Sequence, residues 1–352
     1  MFTIIKPTIH SDIFLIAIPL SQELFSCYPI LNMNLQILKK RAEIVKTIRD
    51  FFTGKGYLEV ETPVLSRTLI PESNIEVFKT HFIPVESPPE PLYLIPSPEI
   101  WMKKLLGMGS GNIFQITKSF RNVESTGKYH NPEFTILEWY TVDADYMYSI
   151  ETTENLIDAL SSHSNVDGLK VPFRRMSVEE AFFEFTGIDL ASSNDLQRLR
   201  EQSKKLGLEY KPGDTWEQIF NRIFLLKVEP ELPTDRPLVL YNYPSDIACL
   251  AKDIPETPWC ERWELYIKGI ETANCFTEEV NKEKVKEFFQ LEKARKEETA
   301  CIKHPVDETF PDIFDGGFPL CSGVALGVDR LVMALTGASS IEEVLAFPFS
   351  RF

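Results

Sequence analysis

The chain has 352 residues, of which 43% are hydrophobic and 12% aromatic, so it is long enough to bury one large core or two ordinary ones. Its formal net charge is -15 and its pI is near 5.0, which argues against a general nucleic-acid binder, because affinity for phosphate backbones depends on Lys and Arg. The six cysteines form no CxxC pair and no zinc spacing with histidine, and no apolar run reaches the length of a membrane span, which indicates a cytoplasmic protein with reduced thiols.

The first element with a clear period begins only after residue 32. Residues 1–32 are apolar with scattered polar residues, and we read them as an N-terminal extension that is disordered or lies ahead of the true start at Met33. Apolar residues over 38–52 recur at helical spacing, and Gly54 ends the pattern. Residues 57–63 then alternate as a strand, which leaves the sheet at Pro63.

A short strand over 92–95 leads into Ser97-Pro98-Glu99, where Pro and Glu are typical of a helix start. The helix over 101–106 ends at Gly107. The glycines that follow lack the GxGxxG spacing and come after a helix instead of a strand, and the chain contains no Walker A sequence. A conventional glycine-rich nucleotide loop is therefore excluded.

The stretch 113–140 carries the clearest chemical pattern. IFQITKSFR alternates as a half-buried strand, a polar loop with Gly127 follows, and FTILEWY reads as a returning strand. This unit places Arg121 at the mouth of the loop and His130 and Phe134 on its far arm. A guanidinium and an imidazole can each bind a phosphate and a ring can stack on a base, so the stretch predicts a nucleotide site.

The rest of the chain alternates between helical and strand patterns. A helix is predicted over 146–160, and an insertion at about 161–231 has helical patterns at 177–185, 194–206 and 215–226, which suit a helical layer or a docking surface. Strands are predicted at 238–244 and 263–268, and a charged helix at 282–298 is expected to face solvent. Last, CSGVALGVDRLVMAL is a small-residue strand that turns into an apolar helix, with Asp329 and Arg330 at the junction.

Three of these segments together resemble a known family. Phe120-Arg121-Asn122, HNPEF and Glu138-Trp139-Tyr140 resemble motif 2 of class II aminoacyl-tRNA synthetases in its lysyl version, while 38–63 is similar to motif 1 and 321–335 to motif 3. From about residue 38 to the C-terminus the chain resembles the elongation factor P beta-lysine ligases, free-standing relatives of lysyl-tRNA synthetase. The resemblance implies an α+β fold with a class II synthetase-like mixed, mostly antiparallel sheet flanked by helices. It also implies that 33–352 form the catalytic domain, with the helical insertion at about 161–231, and that motif 1 forms a homodimer interface.

The resemblance implies a site for ATP and Mg²⁺, with Arg121 and Arg330 as the catalytic residues. The implied ATP contacts are Arg121, Asn122, Glu124, His130, Asn131, Phe134, Glu271, Thr272, Gly327 and Arg330. Mg²⁺ is expected at Glu271 and Glu278, although Glu278 can instead contact the substrate amine. Motif 2 departs from the family because Val123 stands where the family has Glu, so Glu124 is expected to supply the carboxylate through a longer loop.

The implied amino-acid contacts are Ser97, Glu99, Glu138, Tyr140, Glu278 and Ala325. Glu138 is expected to face an ε-ammonium. Ala325 stands where lysyl-tRNA synthetases have Gly and the beta-lysine ligases have Ala. A methyl group beside the substrate backbone is worth about 1–3 kcal/mol of selectivity. It is expected to favour a substrate whose amine is moved along its carbon chain. Cys275 replaces the family's usual Gly and is expected to alter the amino-acid pocket.

The resemblance therefore implies ATP-dependent activation of (R)-beta-lysine as an adenylate and its ligation to a lysine side chain of elongation factor P, without tRNA or a membrane. One alternative is a truncated lysyl-tRNA synthetase, which Ala325, the acidic balance and an N-terminal segment too short for an anticodon-binding barrel disfavour. The other is a non-catalytic paralogue. Retention of Arg121, His130 and Arg330 disfavours it, as does retention of Glu271 and Glu278, whereas Val123 and Cys275 favour it.

Overall fold

An eight-stranded sheet forms the centre of the computed structural model, which describes residues 35–123, 127–164, 169–193 and 195–351. In spatial order its strands are β1 (Leu58–Glu59), β5 (Ile113–Phe120), β6 (Glu133–Val142), β11 (Cys321–Gly327), β10 (Ile270–Thr277), β9 (Trp259–Ile267), β8 (Leu238–Pro244) and β7 (Arg174–Ser177). Pairing is antiparallel except at the two edges, where β1 lies parallel to β5 and β7 parallel to β8. A second, three-stranded sheet contains β2 (Leu65–Ser66), β4 (Glu90–Leu94) and β3 (Phe78–Phe82). The predicted mixed, mostly antiparallel α+β fold is confirmed.

Eight α-helices surround these sheets within the described residues. They are α1 (Leu35–Gly54), α2 (Glu99–Gly107), α3 (Tyr146–Leu160), α4 (Val178–Thr186), α5 (Leu196–Lys205), α6 (Trp216–Ile223), α7 (Lys282–Thr299) and α8 (Val328–Thr336). Helix α1 contacts both α3 and α8, the latter two contact the central strands, and the three helices bury the main core. At its centre the Phe52 ring lies 5.1 Å from the Phe114 ring and 5.0 Å from the Trp139 ring, centroid to centroid.

Strand β6 shows how the two faces of the sheet divide between core and site. Leu137 and Trp139 belong to the main core, whereas Glu138 and Tyr140 point to the opposite face. All four side chains are buried, so the strand reads as a nearly continuous buried run. Glu138 and Tyr140 are therefore enclosed at a site and do not face solvent.

The described residues of the predicted helical insertion contain three α-helices, several shorter 3-10 or π segments and one strand. Helices α4 and α6 begin with capping boxes, Ser177 with Glu180 and Thr215 with Gln218, which explains where the patterns start. Strand β7, which was not predicted, extends the central sheet beside β8. The predicted extension 1–32 lies outside the described residues, and the division of the chain into domains stays a prediction.

Helix α7 does not face solvent throughout, contrary to the expectation from its charge. Glu292 and Lys296 are buried: the Glu292 carboxylate accepts from the Ser73 backbone N–H at 2.7 Å, and Lys296 donates to the backbone oxygen of Glu72 at 2.8 Å. These hydrogen bonds provide partners for the backbone N–H of Ser73 and the backbone oxygen of Glu72 in the loop before β3. Among the described residues, no helix is long and apolar enough to cross a membrane.

Candidate active site

A cavity of about 490 Å³ lies on the face of the central sheet opposite the main core. Of the predicted site residues that the structure describes, all except Asn122 line this cavity. They are Ser97, Glu99, Arg121, His130, Asn131, Phe134, Glu138, Tyr140, Glu271, Thr272, Glu278, Ala325, Gly327 and Arg330. Residues from distant parts of the chain thus meet around a single cavity.

The two arginines reach the same end of this cavity from different elements. Arg121 follows β5 and its backbone N–H donates to the Pro132 oxygen at 3.0 Å, while Arg330 lies in the first turn of α8. Burial and the neighbouring Glu264 raise the pKa of Glu271 to about 7, and both arginines act on that carboxyl in the opposite direction. Arg330 Nη1 lies 3.7 Å from Glu271 Oε2, and Arg121 lines the same cavity. Two guanidinium groups from distant parts of the chain therefore line one cavity.

The aromatic ring predicted to bind a base lies at this same end. The guanidinium carbon of Arg121 is 5.5 Å from the centroid of the Phe134 ring, within the range of a cation–π contact. Phe134 is the second residue of β6, directly across from Ser119 in the β5–β6 hairpin. The hairpin therefore places a ring face and a guanidinium side by side.

Arg330 ties the loop before β6 to the start of α8. Its guanidinium donates to the Glu271 backbone oxygen at 2.7 Å, to His130 Nε2 at 2.9 Å and to the Tyr129 backbone oxygen at 3.3 Å. A guanidinium has no acceptor, so Nε2 of His130 accepts and the proton of the neutral ring is on Nδ1. The imidazole is thus held beside the guanidinium at the nucleotide end.

The start of α8 is itself held by a buried carboxylate. Asp329 accepts from the Thr135 backbone N–H at 2.8 Å and pairs with Arg41 of α1 at 2.6 Å. Arg41 also donates to the Thr135 hydroxyl at 2.9 Å. This network joins α1, β6 and α8, and it orients the next residue, Arg330, into the cavity.

The opposite end of the cavity is acidic. Glu138, only 2% exposed, accepts from Ser97 Oγ at 2.6 Å and from the Tyr140 hydroxyl at 2.8 Å. Burial, together with the charge of Glu99, raises the pKa of Glu138 to about 7. A carboxylate held in this way favours a positively charged group of a ligand.

A second carboxylate and an unpredicted lysine complete the acidic end. Glu278, whose backbone N–H donates to the Cys321 oxygen at 2.9 Å, pairs with Lys103 of α2 at 2.6 Å. Lys103 also pairs with Glu99, one helical turn away. Burial raises the pKa of Glu278 to about 8, although Lys103 opposes that shift. The signal for Lys103 was its i,i+4 spacing from Glu99, which the adjacent Lys104 does not share, but that spacing is also typical of an ion pair on an exposed helix face.

Strand β11 forms the wall between Glu138 and Glu278. Gly323 pairs with Tyr140 and Ala325 with Glu138 in the β11–β6 register. A Cβ on Gly323 would lie 2.5 Å from Tyr140 Cε1 and 2.8 Å from Glu278 Oε1, so only glycine allows these two side chains to approach. The sequence analysis did not single out Gly323, although the small-residue run SGVALG was its signal.

A hydrogen-bonded network behind Glu271 was also missed. Glu264 on β9 accepts from Arg262 at 2.7 Å and from the hydroxyls of Tyr243 and Tyr266 at 2.6 and 2.7 Å. Arg262 and Glu264 both line the cavity, and their positions two apart on one strand were the available signal.

Two predicted features do not lie where the sequence analysis expected them. The Asn122 amide donates to the Val77 oxygen at 3.3 Å, and its backbone pairs with Glu76, so the residue anchors the loop away from the cavity wall. Cys275 is buried in the main core, because its neighbours on β10 point to the cavity and strand residues alternate. Its side chain therefore does not line the amino-acid end, and Glu124 lies outside the described residues.

The central sheet is mostly antiparallel, and one cavity on its face is lined by an arginine after β5 and by another at the start of α8. These features are typical of a catalytic domain of the class II synthetase type. Residues 30–351 match the family of tRNA synthetases class II (D, K and N). Proteins named elongation factor P--(R)-beta-lysine ligase match as well: that of Yersinia enterocolitica is 39% identical over 319 residues, or 89% of this chain and 95% of the relative. That of Vibrio cholerae is 36% identical over 318 residues, with the same shares of the two chains. The chain belongs to the class II (D, K and N) tRNA synthetase family and, within it, to the family of these ligases.

Proposed function

We propose that this protein uses ATP to activate (R)-beta-lysine as an adenylate and then ligates it to a lysine side chain of elongation factor P. The names of the relatives support the substrate and the acceptor. The observation that carries the proposal is one cavity with Arg121 and Arg330 at one end and the buried carboxylates Glu138 and Glu278 at the other. Such a cavity suits a polyphosphate beside a ligand with positively charged amines.

In the first step the substrate carboxylate attacks the α-phosphorus of ATP, the acyl–phosphate bond forms, and pyrophosphate leaves. The carboxylate is already ionised at neutral pH, so no protein base is required. Catalysis then consists of positioning and charge neutralisation, with Arg121 on the α-phosphate and His130 and Arg330 on the β/γ end. Phe134 stacks on the adenine, and Asn131, Thr272 and Gly327 line the nucleotide.

In the second step the amine of the acceptor lysine attacks the acyl carbon, an amide bond forms and AMP leaves with the bonding electrons. The attacking amine loses its proton to solvent. No side chain of the described residues needs to form a covalent bond with the substrate. This reaction requires only that the adenylate end of the cavity stay accessible to another protein.

Mg²⁺ fits the nucleotide end better than the amino-acid end. Glu271 and Glu264 both line the cavity, burial and the charge of Glu264 raise the pKa of Glu271 to about 7, and a divalent cation would favour its ionised form. Glu278 instead pairs with Lys103, which supports a role on the substrate side. Among the described residues, no group of three or more His, Cys, Asp or Glu is arranged to hold a metal. When bound, it would neutralise charge on the β- and γ-phosphates.

Pyrophosphate exchange into ATP, measured with (R)-beta-lysine and with α-lysine, tests the first step. We expect exchange that depends on the amino acid and is faster with beta-lysine. Incubation with elongation factor P and mass spectrometry then tests transfer. Aminoacylation of lysine tRNA without modification of elongation factor P would support the truncated synthetase instead, and ATP binding without exchange would support the non-catalytic paralogue.

We also propose that the chain forms a homodimer through the α1 region, acts without tRNA and is cytoplasmic. The dimer is inferred from the similarity of 38–63 to motif 1. Sedimentation equilibrium of the purified chain at micromolar concentration tests it, since a single species of monomer mass would contradict it.

A further inference from the structure

Lys103 is a completely buried lysine, 0% exposed, behind the wall of the amino-acid end. Glu99 and Lys103 are one turn apart on α2, so their side chains meet on one face of the helix. Glu278 reaches the same ammonium from the end of β10 at 2.6 Å. The reaction described above assigns no task to this lysine.

The ammonium group of Lys103 is charged in this position. Burial by itself lowers the pKa of a lysine, but Glu278 and Glu99 raise that of Lys103 above its ordinary value. Its Nζ also lies 5.3 Å from the centroid of the Phe276 ring, a further favourable contact for a cation. Two carboxylates and an aromatic ring therefore favour the charged form of Lys103.

This charge changes the electrostatic balance of the amino-acid end. Three carboxylates are gathered there, on Glu99, Glu138 and Glu278, and Lys103 is the cation that contacts two of them. When all are ionised, two negative charges remain in excess. Buried charges without partners are costly, so the best ligand brings two positive charges.

Glu72 is a further carboxylate that lines the cavity. Burial and the charge of Glu99 raise its pKa to about 7, and Arg121, Lys296 and Lys103 oppose that shift. Lys296 donates to the backbone oxygen of Glu72 at 2.8 Å, whereas Lys103 pairs directly with Glu99 and Glu278.

Lys103 also orients Glu278. Its ammonium binds Oε2, and the other oxygen, Oε1, lies 2.8 Å from the position of a Cβ on Gly323, at the cavity wall. Without the lysine, Glu278 and Glu99 would lose the cation that they share.

We propose that Lys103 is a positioning residue for amino-acid specificity: its charge fits the acidic end to a substrate with two ammonium groups, and its ion pair fixes Glu278 toward that substrate. This inference rests on the proposed function and adds the reason why a pocket with three carboxylates accepts a substrate with two amines. The lysine acts through Glu99 and Glu278, without contact to the reacting atoms.

The first test compares Lys103→Met with Lys104→Met by pyrophosphate exchange. Lys104 is the matched control because it lies next in α2 and is also ion-paired, with Asp307, but does not contact the three carboxylates. In Lys103→Met we expect the KM for beta-lysine to rise about tenfold or more while the KM for ATP changes less than about twofold. In Lys104→Met we expect both constants to stay within about twofold of the wild type. Equal changes in both constants of Lys103→Met, or no change in the KM for beta-lysine, would overturn the inference.

The second test restores the charge balance with Lys103→Met/Glu99→Gln. Two carboxylates then remain for two ammonium groups, so we expect the KM for beta-lysine to be at least about threefold lower than in Lys103→Met. A double variant no better than the single one would show that the charge of Lys103 is not its role. If Lys103→Met does not fold, the double variant alone decides: a KM within about tenfold of the wild type supports the inference, and a larger increase overturns it.

The same experiments run with α-lysine separate this inference from the proposed function. If the wild type activates α-lysine in preference to beta-lysine, the proposed substrate is wrong, but α-lysine also has two ammonium groups and the Lys103 comparison proceeds unchanged. If the wild type activates neither amino acid, both the proposed function and the proposed role of Lys103 are refuted.

Discussion

Replacement of Glu138 by Gln tests the acidic end of the cavity most directly. The carboxylate is 2% exposed and accepts hydrogen bonds from Ser97 and Tyr140, at 2.6 and 2.8 Å. Gln has nearly the same shape but presents one N–H₂ group, so one of the two hydroxyls would face a donor instead of an acceptor. The substitution therefore removes the charge and disturbs one hydrogen bond without opening a cavity.

The size of the effect follows from the burial of the pair. Removal of one partner of a buried ion pair costs about 3–5 kcal/mol, which corresponds to a factor of about 10² to 10³·⁵ in affinity. ATP binds at the other end of the cavity, around Arg121 and Arg330, and makes no contact with this carboxylate in the proposed arrangement. We therefore expect the KM for beta-lysine to rise about a hundredfold or more, while the KM for ATP changes less than about threefold.

Pyrophosphate exchange with each substrate varied in turn measures both constants. Glu133→Gln is the matched control, because Glu133 begins the same strand but its side chain is 53% exposed and pairs with Lys118 at the surface. We expect this control to behave like the wild type. If both constants of Glu138→Gln changed by the same factor, Glu138 would not be the contact for the substrate amine.

Three further predictions concern the residues at the amino-acid end of the cavity. Ala325→Gly should raise activity with α-lysine relative to beta-lysine, by up to about tenfold, and an unchanged ratio of kcat/KM values would exclude Ala325 from selectivity. Gly323→Ala should raise the KM for beta-lysine about tenfold or more, because the new Cβ would lie 2.5 Å from Tyr140 Cε1; a KM like that of the wild type would refute the packing argument. Burial raises the pKa of Glu138 to about 7 and that of Glu278 to about 8. Because the substrate ammonium groups need both carboxyls ionised, the KM for beta-lysine should fall as pH rises from about 6 to about 8. A KM that stays constant over this range would contradict the prediction.

Strong local patterns made much of the fold predictable. The alternation in IFQITKSFR and FTILEWY corresponds to β5 and β6, and the helical stripe over 38–52 lies within α1. Strand β7 was missed because it has only four residues, and two of them are exposed arginines. The buried side of α7 was missed because its polar residues bond to loop backbone far away in sequence, which no periodicity records.

In the site, too, residues within local motifs could be predicted, whereas residues that depend on distant contacts could not. Arg121, Phe134 and Glu138 could be identified because each lies in a motif whose residues are close together in sequence. Lys103 could not, because its burial depends on Glu278, which comes from another strand.

The amino-acid sequence by itself determined the hairpin, the small-residue strand before α8 and the chemical types at the nucleotide end, because these depend on neighbours a few residues apart. Only the tertiary structure decided which face each side chain takes: Cys275 joins the core, Asn122 anchors a loop, and Lys103 lies between Glu99 and Glu278. The physical reason is that burial and charge pairing depend on contacts between distant segments, and these exist only once the sheet has formed.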